Sequence, residues 1–281
     1  MARRSEQHDS NRSPEIMSHY IRSIHNPRIR KITQLRKRRG REKQGRIIID
    51  GMRPIEQALK SGLAIRELIG LPAELERHAS LIELLTTSGT DVLSVSQPAW
   101  NRICYGDQSS GIIAVADAPL FALERLTLRK NGLLIVLEDV EKPGNIGAVL
   151  RTADAAGAAA VIVTDPATDL CNPNTIRSSI GTLFTTPVAV AAGAEARDWL
   201  DRQKFRILAA RVDGKLGYTE ADLGGRVAVV LGSEARGLSP AWQGSGTSPV
   251  VIPMQGTSDS LNVSVAAAIM LYECRRQRDA T

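Results

Sequence analysis

The sequence predicts an α/β protein of two domains, a small N-terminal α/β domain followed by a domain built on a parallel sheet. Short apolar runs alternate with amphipathic stretches along most of the 281 residues, the pattern of chains that alternate strands and helices. Several apolar runs in the second half contain almost no polar residue, which is typical of parallel strands covered on both faces. With 43% hydrophobic residues, the chain can bury a core in each domain.

The N-terminal domain is predicted for residues 18–118. Residues 1–17 are polar and basic without periodicity, which predicts a disordered tail. Between Asn26 and Arg46, three apolar residues spaced by three (Ile29, Ile32 and Leu35) predict a helical stripe among basic residues. Strands are predicted at 46–50, 65–70, 91–95 and 111–117, and helices at 52–62, 73–86 and 96–103.

The C-terminal domain is predicted for residues 133–281, after a linker at 119–132. Its apolar runs predict six strands, near 133–139, 160–164, 187–190, 206–210, 226–231 and 249–253. A last helix is predicted from Ser260 to about Gln277, apolar at its start and basic at its end. Most of the strands have helical stretches between them, so the domain is predicted to be doubly wound.

The positive charge is concentrated at the N-terminal end. Residues 1–50 contain 14 Lys and Arg against 5 Asp and Glu, whereas the whole chain has a net charge of +6. The remainder is therefore slightly acidic. A basic segment of this kind indicates binding to a polyanion, and phosphate backbones are the usual partner. A solvated tail is the alternative, and it is the preferred interpretation for residues 1–16.

Several classes of protein are excluded by missing residues. The four histidines all precede residue 79, so the C-terminal domain has no Ser-His-Asp triad and no histidine-ligated metal. Neither a P-loop nor a dinucleotide-binding glycine motif is present. No apolar run is long enough for a membrane span and the N-terminus lacks a signal core. Three isolated cysteines suggest a reducing compartment, so the expected location is cytoplasmic.

Two polar segments follow predicted strands and contain candidate ligand-binding residues. In the first, Asn145 is a possible N-cap of the next helix, and Arg151 either faces the same crevice or pairs with Asp154. In the second, Gly232 and Glu234 open a glycine-rich loop whose backbone N–H groups suit a carboxylate or a nucleotide-like ligand.

A third polar segment leads into the last helix. Ser260 is a candidate N-cap, and Asn262 is predicted within the first turn, where asparagine is a poor helix former. Ligands of open parallel sheets bind beyond the carboxyl ends of the strands. The spacing alone therefore predicts a nucleotide-like ligand in a crevice without histidine.

Together these segments resemble motifs 1, 2 and 3 of the SpoU/TrmH family of RNA ribose 2′-O-methyltransferases, in the SPOUT superfamily. N-x-G-x-x-x-R-T corresponds to Asn145–Thr152, and G-S-E-x-x-G-L to Gly232–Leu238. The third motif, I-P-M followed by S-L-N-V-S, lies within Ile252–Ser264. The resemblance covers 133–275 and extends more loosely over 23–117, which resembles the family's substrate-binding domain, related to ribosomal kink-turn RNA binders.

The resemblance implies a deep trefoil knot in the C-terminal domain, S-adenosylmethionine as cofactor, a homodimer and no metal. The implied cofactor contacts are Ala210, Gly232, Ile252, Met254 and Leu261.

The implied reaction is methyl transfer to a ribose 2′-hydroxyl, with Arg151 either as a base or as a phosphate anchor. Asn145 and Asn262 would orient the ribose or Arg151, and Glu234 and Ser260 would complete the site.

The implied substrate is RNA, with ribosomal RNA favoured over tRNA because a separate N-terminal domain is more typical of enzymes acting on large-subunit RNA. Alternatives are a tRNA ribose methyltransferase, a base methyltransferase, and a non-catalytic RNA-binding protein on the same scaffold. The residues predicted to bind RNA phosphates are Arg28, Arg30, Lys31, Arg36, Lys37, Arg38 and Arg39, with Arg41 and Lys43 as further candidates.

Overall fold

The structure is a computed structural model that describes residues 20–104, 110–128, 131–233, 236–244 and 246–280. The predicted disordered tail at 1–17 and the candidate residue Glu234 lie outside the described residues. The described part contains two sheets, one in each predicted domain. The mixed α/β fold with a parallel C-terminal sheet agrees with the fold class expected from the sequence.

The N-terminal domain is a five-stranded mixed sheet flanked by helices. Its elements in chain order are β1 (Tyr20–Ile21), α1 (Pro27–Gln34), α2 (Arg38–Gln44), β2 (Arg46–Asp50), α3 (Met52–Lys60), β3 (Ile65–Gly70), α4 (Pro72–Arg77), α5 (Ala79–Thr87), β4 (Asp91–Val95), α6 (Gln97–Ile103) and β5 (Ile112–Asp117). The strand order is β1-β4-β3-β5-β2, with β5 antiparallel to both of its neighbours.

The C-terminal domain is a seven-stranded sheet in which every neighbouring pair is parallel. Its strand order is β10-β12-β9-β11-β6-β7-β8. The elements in chain order are β6 (Leu133–Glu138), α7 (Pro143–Ala155), β7 (Ala160–Thr164), α8 (Pro173–Ser178), α9 (Thr182–Thr185), β8 (Val188–Ala191), α10 (Gly193–Arg202), β9 (Arg206–Ala210), β10 (Leu216–Gly217), β11 (Val227–Leu231), β12 (Thr247–Val251) and α11 (Val263–Asp279).

The apolar runs of the C-terminal strands are explained by burial on both faces of the sheet. In β6, Ile135 and Leu137 pack with α7 and α11, whereas Leu134 and Val136 pack with α10 on the opposite face. Because successive side chains of a strand alternate between faces, a strand covered on both sides must be apolar at every position.

Three predicted elements differ from the structure. The stripe between Asn26 and Arg46 forms two helices, α1 and α2, although Ile29, Ile32 and Leu35 are all buried as expected. The predicted helix at 73–86 is interrupted at His78, between α4 and α5. The last helix begins at Val263, three residues later than predicted, because the chain first passes along a cavity described below.

The two domains share part of one hydrophobic core, which includes Ile47 and Ile55 of the first domain and Ile176 of the second. The approach is tightest at Gly181, where a Cβ atom would lie 2.7 Å from Pro54 Cα. Within the predicted linker, Leu123 is buried against the C-terminal sheet. The two domains are thus packed together along α3, α8, α9 and β2.

Two expectations remain predictions. The knot depends on how the chain threads through its own loops, which strand order and register do not determine. Among the described residues, no helix has both the length and the hydropathy needed to cross a membrane, and this finding leaves the cytoplasmic location a prediction.

The packing of α7 against α8 gives a stability test at Gly147. A Cβ atom there would lie 1.9 Å from Ser178 Oγ and 2.7 Å from Ser179 N, whereas a Cβ at Gly144 on the same helix meets nothing within 4 Å. We expect Gly147→Ala to lower the free energy of unfolding by about 1–3 kcal/mol through overpacking. The matched control, Gly144→Ala, should be neutral or up to about 1 kcal/mol stabilising, because alanine favours helix. Urea unfolding of both variants measures this, and equal stabilities would contradict it.

Candidate functional site

A cavity of about 440 Å³ lies at the carboxyl ends of three neighbouring strands, β11, β9 and β12. Its wall is formed by the chain leaving each strand and by the start of α11. The lining residues are Ala210, Arg211, Val212, Asp213, Leu231, Gly232, Ser233, Arg236, Gly237, Leu238, Gln243, Ile252, Met254, Asp259, Ser260, Leu261, Val263 and Ala266. The position is the one at which open parallel sheets bind ligands.

All five residues predicted to contact the cofactor line this cavity. Ala210 lies at the end of β9 and Gly232 directly follows β11. Ile252, Met254 and Leu261 come from the segment between β12 and α11. Apolar side chains and backbone therefore form much of the wall, which suits a small organic ligand with a flat apolar portion.

Gly232 is required by the close approach of its own loop. A Cβ atom at Gly232 would lie 2.4 Å from the carbonyl carbon of Gly237 and 2.8 Å from the backbone nitrogen of Leu238. The loop is closed by a hydrogen bond from Gly237 N to Ser233 O at 2.9 Å, with Gly237 at φ 66°. The two glycines keep this backbone folded tightly beside the cavity, where a side chain at position 232 would not fit.

Asn145 and Asn262, from the first and third motifs, are in contact. The side-chain amide of Asn262 donates from Nδ2 to Oδ1 of Asn145 at 3.3 Å. Two predicted caps are corrected here. Asn262, not Ser260, is the N-cap of α11 and accepts from Ser264 N at 3.0 Å, whereas Asn145 lies within α7, whose N-cap is Lys142. Ser260 instead lines the cavity.

Arg151 lies outside the lining of the cavity. It is exposed on α7, and it forms no hydrogen bond or ion pair within the described part of the chain, including the pair with Asp154 considered from the sequence. Six residues separate it from Asn145, which rotates it by roughly 120° around the helix. The cavity and Arg151 are therefore separate features, and any group that meets both must extend from the cavity onto the surface of α7.

A buried carboxylate at the end of β6 was missed from the sequence. Glu138 is 3% exposed and accepts hydrogen bonds from Ser239 N, Ser239 Oγ and Trp242 Nε1, each at 2.7 Å. These bonds hold the segment that follows the Gly232 loop against the sheet. A buried carboxylate needs hydrogen-bond donors of this kind. An acidic residue at the end of an otherwise apolar strand was therefore the sequence signal for a buried, hydrogen-bonded carboxylate.

A second missed group stands at the rim of the cavity. Arg236 donates to Asp139 at 2.6 Å and to Glu141 at 3.2 Å, so it joins the second motif to the turn before α7. The hydrogen bond to Asp139 raises the pKa of Arg236 above its usual value, which keeps the guanidinium charged. The two acids Asp139 and Glu141, close together in the segment EDVE, were the sequence signal for this cluster.

Neither Cys171 nor Cys274 is a candidate nucleophile. Burial raises the pKa of each thiol to about 12, so both remain protonated at neutral pH. In the described ranges no group of three or more His, Cys, Asp or Glu side chains is arranged to hold a metal ion.

The basic residues of the N-terminal domain fall into two groups. Arg30, Lys31, Lys37 and Arg39 are exposed, and no ion pair involves them in the part of the chain that is described. Arg28 and Arg38 already form ion pairs within the domain. Arg28 pairs with an acidic residue of β4 and Arg38 with one of α2.

The prediction that Arg36 binds RNA is not supported. Its side chain is 11% exposed and pairs with Asp50, to whose Oδ1 it donates at 2.6 Å, and it donates to Ile103 O at 2.7 Å. Arg36 therefore ties the break between α1 and α2 to the body of its domain. Sequence charge alone does not separate such a structural arginine from an exposed one.

The chain matches two protein families. Residues 132–272 match the SpoU rRNA Methylase family, and residues 26–114 match the MRM3-like substrate binding domain. The first match contains all three motifs and the whole cavity. The second contains α1 and α2.

Similar proteins act on ribosomal RNA. The chain is 32% identical to the 23S rRNA (uridine(2479)-2′-O)-methyltransferase of Streptomyces viridochromogenes, over 86% of each protein. It is 29% identical to the 23S rRNA (guanosine(2553)-2′-O)-methyltransferase RlmP of Bacillus subtilis (strain 168), over 91% of this chain and 98% of that protein. It also resembles the crystal structure of the SpoU methyltransferase AviRb from Streptomyces viridochromogenes in complex with AdoMet, with a TM-score of 0.83, 30% identity and coverage of 91% and 99%.

Proposed function

The chain belongs to the SpoU rRNA Methylase family, and we propose that it transfers a methyl group from S-adenosylmethionine to a ribose 2′-hydroxyl of ribosomal RNA. The observation that carries this proposal is the contact between Asn145 and Asn262 at the edge of the cavity. It unites the first and third motifs beside a space suited to the cofactor.

The residues around the cavity fit S-adenosylmethionine. The volume of about 440 Å³ lies within the range of small-molecule sites. Leu231, Ile252 and Leu261 offer apolar wall for an adenine ring, and the Gly232 loop offers backbone polar groups that no side chain covers. When bound, S-adenosylmethionine supplies a methyl group already activated on a sulfonium.

The protein's contribution to such a reaction is alignment of the ribose and removal or sharing of the hydroxyl proton. We assign orientation of the ribose to Asn145 and Asn262, whose amides hold each other in place. Ser260 contributes a hydroxyl to the wall of the cavity. Glu234 lies outside the described residues, and its part in the site stays a prediction from the second motif.

Arg151 has two possible roles. As a base it would accept the 2′-hydroxyl proton, which a guanidinium does poorly because it holds its own protons tightly. As an anchor it would bind the adjacent phosphate and so place the ribose. Its exposure on α7, outside the lining of the cavity, favours the anchor.

Ribosomal RNA is preferred to tRNA because the chain matches a substrate binding domain in addition to the methylase family. Both relatives compared over most of their length are named for 23S rRNA 2′-O-methylation. A non-catalytic RNA-binding protein is the second candidate. The presence of Asn145, Arg151 and Asn262 argues against it.

The function is tested by transfer of labelled methyl from S-adenosylmethionine to ribosomal RNA and to tRNA, offered separately. We expect label on ribose in ribosomal RNA, and a rate at least about 100-fold lower in Asn145→Ala and Arg151→Ala. If position 151 anchors a phosphate, Arg151→Lys should keep a measurable rate with an unchanged pH profile. If it is the base, the pH profile of the rate should move to lower pH in Arg151→Lys, because an ammonium gives up its proton more readily than a guanidinium. Label on a base, or on tRNA alone, would contradict the proposed substrate. Cofactor binding without transfer to any RNA would favour the non-catalytic candidate.

We propose that the exposed cations of α1 and α2 bind the RNA backbone. Lys37→Ala and Arg39→Ala should weaken RNA binding and each reduce the slope of log K against log salt by about one, because one phosphate contact is lost. Arg202→Ala, which removes an exposed cation from α10 in the other domain, serves as the matched control. Filter binding at several salt concentrations measures both effects. Slopes equal to that of the control variant would rule out these contacts.

We propose a homodimer packed partly through α11. This helix exposes apolar side chains on one side, including Val265 at 47% and Tyr272 at 53% exposure, and such a stripe on a surface helix suits a partner surface. The mass in sedimentation equilibrium should be twice that of the 30.4 kDa chain. A mass that stays at one chain at micromolar concentration would contradict this proposal.

A further inference from the structure

Arg41 differs from its basic neighbours on α2 because it is buried at the contact between the two domains. Its side chain is 6% exposed and donates from Nη1 to Leu35 O at 2.8 Å and from Nη2 to Asp169. Asp169 belongs to the loop between β7 and α8 in the C-terminal domain. The ion pair therefore joins α2 of the N-terminal domain to the C-terminal domain.

Adhesion between the domains does not require this pair. Taking two charges out of water costs free energy, and apolar residues of similar size often stabilise as well or better. The domains already share a hydrophobic core. An ion pair adds a fixed orientation to an apolar contact. A guanidinium that donates to two separate acceptors satisfies both of them in only one orientation. The geometry points to a role in orientation.

The loop of Asp169 leads to the helix of the candidate site. Leu170 is buried in the core, and Asn172 caps α8 by accepting from Asn174 N at 2.9 Å. From α8, the Ser178 hydroxyl donates to Asn174 O at 2.7 Å within its own helix, and its oxygen lies 3.4 Å from Pro143 O and fills the space beside Gly147. Pro143 and Gly147 belong to α7, which also carries Asn145 and Arg151.

The exposed cations lie at the other end of this connection. Arg39 and Lys43 are exposed on α2, on either side of the buried Arg41. A shift of α2 against the C-terminal domain would move these cations relative to Asn145 without disturbing either group locally. The distance between the RNA backbone contacts and the methyl-accepting ribose depends on this contact.

We propose that the Arg41–Asp169 pair is a positioning device that sets the RNA-contacting cations of α2 in register with the ribose site. The inference rests on the proposed function. It makes Arg41 a positioning residue that touches no RNA, and it predicts an effect on the rate and place of transfer instead of on RNA affinity.

The test uses two variants. Asp169→Asn keeps the shape of the side chain and removes its charge. Arg41→Lys keeps the charge and removes the planar guanidinium that donates to two acceptors. The matched control is Asp117→Asn, which breaks an exposed ion pair with Arg66 inside the N-terminal domain. Transfer is measured in a single turnover at saturating RNA and cofactor, and rates are normalised to cofactor-binding sites so that unfolded protein does not count.

We expect both variants to transfer methyl about tenfold or more slowly, because displacement by about 1 Å can cost up to about 100-fold. Their dissociation constants for RNA and for S-adenosylmethionine should stay within about twofold of wild type, and Asp117→Asn should match wild type throughout. Mapping of the product should show label at additional nucleotides. Hydrogen exchange should be faster at residues 38–44 and 165–172 and unchanged in α10.

Wild-type rates and unchanged exchange in both variants would overturn the inference. A third variant, Arg41→Gln, removes the charge. Weaker RNA binding with a smaller salt slope in Arg41→Gln would also overturn the inference, because Arg41 would then contact phosphate directly. Hydrogen exchange is measured without RNA, so its result does not depend on the proposed function. A wild-type protein that transfers no methyl group would count against the proposed function. Unchanged hydrogen exchange in the variants would count against the positioning role.

Discussion

The arrangement of the site depends on the parallel pairing of β11 between β6 and β9. Val227–Leu231 pairs with Leu133–Leu137 on one side, and its first four residues pair with Arg206–Ala209 on the other. This register places the end of β11 beside the end of β6, with Leu231 opposite Leu137, although the two strands are far apart in sequence, so the first and second motifs become neighbours. β12 extends the sheet beyond β9 and adds the third. The cavity follows from this strand order, since parallel strands present their carboxyl ends at one edge.

The longer strands were predictable because burial on both faces leaves a short run of apolar residues. The two-residue strands β1 and β10 were missed, because two residues are too few to show a pattern. A crevice for a nucleotide-like ligand was predicted from the spacing, whereas the five residues expected to contact the cofactor were named only through resemblance, and all five line the cavity. The caps were not predictable, because both Ser260 and Asn262 suit an N-cap. The choice between them depends on how far the chain runs along the cavity before it turns into α11.

The function of each arginine was the least predictable feature. Arg36, Arg39 and Arg41 lie within six residues, yet Arg36 pairs with β2, Arg39 is exposed and Arg41 pairs across 128 positions with Asp169. Composition and helical period describe only the local chain. Tertiary packing decides which side of a short helix faces another domain and whether an acidic residue lies opposite it. A cluster of charges in sequence therefore indicates an interface for RNA without identifying its members.

Because the methyl donor is already activated, the main contribution of the protein is to align the ribose hydroxyl with the methyl group. That work is distributed well beyond the residues that would touch the ribose. Glu138 fixes the segment after the Gly232 loop, Gly147 lets α7 and α8 approach closely, and Arg41 ties α2 to the loop before α8. Each is buried or in close packing, where a small change moves its neighbours as a unit. Because a displacement of about 1 Å can cost up to about 100-fold in rate, we expect these packing residues to position the site, while the asparagine pair is the group proposed to meet the ribose.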